Sequence, residues 1–95
     1  MLPMYELQVI SRENGWRIKE EGNRLKMYNR DNTVFIMINI DGSNFSLSVE
    51  VQSDLTNNVV IEPARYINEK QIPAYVDRKQ KQYANYSSET MIANG

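Results

Sequence analysis

Cysteine and histidine are both absent from the 95 residues. A thiolate nucleophile, a disulfide framework, a thiolate zinc site and the commonest acid–base side chain are therefore excluded. Catalysis would fall to carboxylates, lysine, serine, threonine or tyrosine, all of which are also ordinary surface residues. A carboxylate pair needs two acids brought together by the fold. Glu20 and Glu21 are neighbours in the chain, and neighbours in an extended strand point to opposite faces. Asp31 and Asp41 stand in turn-like surroundings, where aspartate serves local hydrogen bonding. Asp31-Asn32 and Asp41-Gly42 lack the ligand spacing of a calcium loop, and no glycine pattern resembles a phosphate cradle. The expectation is a protein without catalytic residues, metal or cofactor.

Two constellations remain. Towards the C-terminus, Tyr66, Tyr75, Arg78, Lys79, Lys81 and Tyr83 interleave cations with aromatic rings. Single-stranded nucleic acid is held by this combination, because cations follow the phosphates while rings stack on bases. The competing view is that the tyrosines close one edge of the core while the cations stay in water. The second constellation is the run from Val34 to Ile40, apolar on both sides: Val34, Ile36, Ile38 and Ile40 alternate with Phe35 and Met37, and Tyr28 can join the latter pair from a neighbouring strand. A sheet backed by helix on one side needs only one apolar face. Either the sheet curls to shelter Tyr28, Phe35 and Met37, or another chain packs there.

The elements that must position these residues follow from periodicity. Asn44 to Gln52 alternates strictly, with Phe45, Leu47, Val49 and Val51 opposite Ser46, Ser48, Glu50 and Gln52, the pattern of a half-buried strand. Thr33 to Ile40 precedes it across Asp41-Gly42-Ser43, so the two pair as a hairpin. Gly15 to Glu21 and Arg24 to Tyr28 pair across Glu21-Gly22-Asn23. Met4 to Ser11 also alternates, as Tyr5, Leu7 and Val9 against Glu6, Gln8 and Ser11, and reads as a strand with Asn14-Gly15 as its turn. A short strand is expected over Val59 to Ile61, ended by Pro63. Residues 64–86 favour helix, with Pro73 opening one that runs to Tyr83 and carries a thin stripe of Val76, Tyr83 and Tyr86. The predicted class is α+β: an antiparallel meander of five or six strands, open or curled toward a small barrel, followed by one C-terminal helix. Residues 1–86 form the domain and 87–95 a flexible tail.

Hydrophobic residues make up 41% and charged residues 24%, the balance of a folded rather than a disordered chain. The formal net charge of -1 does not suit global attraction to nucleic acid. Its distribution is uneven: from Asp31 to Glu62 every charged side chain is acidic, while six cations precede that stretch and five follow it. Such a pattern steers a charged partner toward one face. No basic segment precedes an apolar one at the N-terminus and no run approaches membrane-span length, so a cytoplasmic protein with no membrane partner is expected. Asparagine beside abundant isoleucine suggests an AT-rich bacterial or phage genome. The leading expectation is a non-catalytic accessory or inhibitory module that binds a protein, or a second copy as a homodimer, through Tyr28, Phe35 and Met37. The runner-up is a single-stranded nucleic-acid binder using the C-terminal set.

Overall fold

The computed structural model describes residues 2–53 and 57–86. The order is helix α1 (Met4–Glu13), strands β1 (Arg17–Glu21), β2 (Arg24–Tyr28), β3 (Val34–Asp41), β4 (Asn44–Gln52) and β5 (Asn58–Ile67), then helix α2 (Ile72–Gln82) after a 3-10 turn. The strands form one antiparallel sheet in chain order, an α+β meander with a C-terminal helix. The sheet does not close: β1 and β5 are its two edges.

Hairpin register follows the turns. Gly22 and Gly42 both have positive φ, at 60° and 63°, which the two-residue loops joining β1 to β2 and β3 to β4 require. In this register Leu25, Met27, Val34, Ile36, Ile38, Phe45, Leu47, Val49 and Val51 make one buried face, and Leu7 of α1 with Ile72 and Val76 of α2 join it in a single core. Both helices thus cover the same side of the sheet. Each of these side chains contributes about 1.5–3 kcal/mol by leaving water.

The first element corrects the expectation of a strand over Met4 to Ser11. Met4, Leu7, Ile10 and Ser11 are the positions that turn inward, at helical spacing, while Tyr5 is 78% exposed. Asn14-Gly15 is the helix stop rather than a strand turn. Gly15 has φ 75°, its N–H donates to the Arg12 carbonyl, and the Trp16 N–H donates to the Ser11 carbonyl. These are the two bonds of a Schellman cap.

The second correction is β5, which continues well past Ile61 and takes in Pro63 and residues 64–67, expected to favour helix. Its ten residues run from Asn58 opposite Gln52 to Ile67 opposite Phe45, and the register slips between Leu47 and Val49 and between Val49 and Glu50. Bulges and an edge proline let the chain stay paired on one side while discouraging a further strand on the other. At the far edge, the charged side chains of Arg17, Lys19, Glu20 and Glu21 do the same for β1.

Helix α2 begins at Ile72, with Pro73 in its first turn. Its inward row is Ile72, Val76, Gln80 and Tyr83, all buried, so it docks more firmly than a stripe of Val76, Tyr83 and Tyr86 implied. No described helix is long and apolar enough to cross a membrane. The tail expected over 87–95 lies outside the described residues.

Candidate interaction surface

With both helices on one side, the other side of the sheet carries the alternate residues of every strand. Tyr28 on β2 lies directly opposite Phe35 on β3, and the rings meet edge to face with centroids 5.3 Å apart. Arg17 on β1 lies opposite Tyr28, its guanidinium 5.8 Å from the ring centroid. Met37 sits between Lys26 on β2 and Ser48 on β4. The three residues singled out from alternation, Tyr28, Phe35 and Met37, therefore share the uncovered face. They are not equally open: Met37 is only 9% exposed, sheltered within the sheet surface, while Tyr28 and Phe35 are half-buried.

A groove of about 550 Å³ runs over this corner, lined by Arg17, Ile18, Lys19, Tyr28, Asn32, Phe35 and Gln52. Its end is fixed by the β2–β3 turn. The buried Asn29 side chain accepts from the Thr33 and Val34 N–H groups at 2.8 and 3.1 Å and donates to the Thr33 hydroxyl at 2.8 Å. That hydroxyl in turn donates to the Tyr86 carbonyl at 2.6 Å. The segment that follows α2 thereby holds the turn in which Asn32 adopts φ 57°.

The groove lining has two cations and no acid. Around it, Glu21 lies 3.5 Å from both Lys19 and Lys26. Desolvation pushes its carboxyl up, but the Lys26 and Lys19 charges and hydrogen bonds prevail and hold it below the ordinary value. Of the acids of the middle stretch, Asp41 on β3 and Glu50 on β4 fall on this face, which grades from cationic at β1–β2 to acidic beyond.

The C-terminal set is not brought together as one platform. Tyr66 is 71% exposed on β5. Tyr75, Arg78 and Lys79 cluster on α2, with the Arg78 guanidinium 4.9 Å and the Lys79 ammonium 5.3 Å from the Tyr75 ring centroid. Lys79 is also bound to Glu62 at 2.8 Å, and the buried Tyr83 hydroxyl donates to the same carboxylate. Desolvation raises the Glu62 carboxyl, but the hydrogen bonds from Lys79 and Tyr83 outweigh it and the net shift is downward. Burial, reinforced by Glu62, pushes the Tyr83 phenol above its ordinary value. Lys81 pairs with Asp77 at 2.9 Å. Among the described residues, no three acidic side chains gather as a metal site.

Arg17, Asn32 and Gln52 were not legible as surface partners of Tyr28 and Phe35. Arg17 follows from counting register back from the Gly22-Asn23 loop and Gln52 from the outward row of β4; Asn32 depends on how the β2–β3 turn folds over. Comparison with protein-family models, curated sequences and solved structures gave no match. The functional reading therefore rests on this geometry.

Proposed function

We propose that the chain is a non-catalytic accessory or inhibitory module that binds a partner protein through the open sheet face centred on Tyr28, Phe35 and Met37. The observation that supports this most is the Tyr28–Phe35 pair, half-buried on the side opposite both helices and overlaid by the Arg17 guanidinium. Aromatic rings and arginine on a rigid sheet are the side chains that dominate protein interfaces, since they present large area at low entropic cost. The adjoining cations favour a partner with acidic groups beside its apolar anchor, so its capture weakens as salt rises.

The nucleic-acid reading over Tyr66, Tyr75, Arg78, Lys79, Lys81 and Tyr83 has less support, because Lys79 and Tyr83 already satisfy Glu62. Affinity capture with the wild-type chain and with Phe35→Ser, alongside a gel shift with labelled single strands at low salt, separates the two. Partner capture lost in Phe35→Ser, with no gel shift at tens of micromolar protein, supports the protein-binding reading. Unchanged capture by a folded Phe35→Ser variant removes it.

A further inference from the structure

A second surface lies at the other end of the molecule, between the start of α1 and the two hairpin loops. There a cavity of about 720 Å³ is floored by Leu25, Ile40 and Phe45 and walled by Leu2 and Met4. Leu25 and Phe45 are buried core residues, so the cavity lies against the edge of the core between helix and sheet. Tyr5 stands at its edge and is 78% exposed, the most exposed large apolar side chain among the described residues. The rim carries one acid and one base, Glu20 and Arg24, on either side of the β1–β2 loop. Neither takes part in an ion pair among the described residues.

We propose that this end is the contact of a two-fold homodimer, in which Tyr5 of each copy enters the cavity of the other and Glu20 meets Arg24 across the axis. A two-fold contact uses the same patch on both subunits, so the patch must complement itself. This one does so twice. A protruding ring stands beside a hole that can receive a ring, and the rim carries both a carboxylate and a guanidinium. A foreign partner would need only one member of each pair. Inserting Tyr5 removes its ring from water against the edge of the core, while its hydroxyl can remain at the rim. The contact is separate from the Tyr28–Phe35 surface, since no residue lines both cavities; Arg24 shares the sheet face of Tyr28 but stands at the opposite end of β2.

A contact of one inserted ring and one ion pair from each copy is expected to associate in the micromolar range. Sedimentation equilibrium on the full chain, from about 1 to about 500 µM around that constant, reads it directly. The wild type should pass from monomer to dimer. Tyr5→Ala, Glu20→Arg and Arg24→Glu should each weaken the dimer at least about tenfold, and the double variant Glu20→Arg with Arg24→Glu should restore it because the pair is only exchanged. Phe35→Ser should leave it unchanged, so a failure here and a failure of the open-face reading are told apart. A wild type that is monomeric throughout overturns the proposal. So does a dimer indifferent to Tyr5→Ala, a double variant no better than its parents, or a dimer abolished by Phe35→Ser. A monomer that binds the apolar dye ANS, with binding lost on Leu2→Ser, would instead assign the cavity to a small apolar ligand and likewise overturn the dimer.

Discussion

The indole N–H of Trp16 donates to the main-chain carbonyl of Gln80 at 3.1 Å, tying the residue that leads into β1 to the last turn of α2. The fully buried Gln80 side chain completes the tie: its amide nitrogen donates to the Ser11 hydroxyl at 2.8 Å and its oxygen accepts from Asn14 at 3.1 Å. Helix–helix registry in this small core is thus fixed by polar groups that have partners, and among the described residues no buried side-chain polar atom lacks one.

Gln80→Ala should therefore destabilise the fold by about 2–4 kcal/mol, because it leaves a void and deprives the buried Ser11 hydroxyl of its donor, while Asn14 keeps only its bond to Asp77. Urea unfolding of Gln80→Ala, Ser11→Ala and the double variant measures the coupling. A coupling of at least about 0.5 kcal/mol is expected for groups in one network.

At Gly15 the helix stop depends on φ 75°, and a methyl group added there would meet nothing within 4 Å. Any penalty on Gly15→Ala is then conformational, about 1–2 kcal/mol. Urea midpoints check it, with unchanged far-UV circular dichroism as the sign that α1 persists.

The Glu62 carboxyl is held below its ordinary value of 4.5 by Lys79 and Tyr83 against desolvation. A depressed carboxyl contributes stability that is present above its unfolded pKa and lost as pH falls through the folded one. Melting temperature should drop as the solution is acidified below about 4.5, and Glu62→Gln should flatten that limb. Tyr83 has the opposite sign: its raised phenol contributes stability that is complete below pH 10.0 and fades as pH climbs through the higher folded value. Tyr83→Phe should remove the alkaline limb and cost about 1 kcal/mol at neutral pH. Thermal melts across pH test both.

Much of the sheet was legible because its signals do not conflict. Gly22 and Gly42 mark the two tight loops, and Asn44 to Gln52 alternates without a break, so β1 to β4 and the shared face of Tyr28, Phe35 and Met37 follow from period two, whereas whether the sheet curls over that face does not. The first helix was not legible because Tyr5, Leu7 and Val9 fit period two as well as Met4, Leu7 and Ile10 fit a helix, and Asn14-Gly15 is chemically equal to a hairpin turn and a helix cap. Two bulges around Pro63 erase the alternation of β5, so its second half lost its signature. Gln80 and Asn29 hold the core together as polar residues, which no hydrophobic pattern reveals. For the surface, alternation placed side chains on a face, but only cross-strand register brings Arg17 over Tyr28.

Phe35→Ser should cost only about 1 kcal/mol in stability, since the ring is half-buried and gives up part of a full burial term. Thermal melting of this variant should stay cooperative, which makes it a usable probe of the open face.

Photo-crosslinking separates the open face from the rest of the surface. Benzoylphenylalanine at position 35 on the open face, and at position 8 on the exposed side of α1, is irradiated in lysate at low salt. A discrete adduct with a second protein species is expected from position 35, absent from position 8 and competed away by excess wild-type chain but not by Phe35→Ser. Equal adducts from both positions, or none from position 35 while a partner is still captured, would contradict the open-face reading.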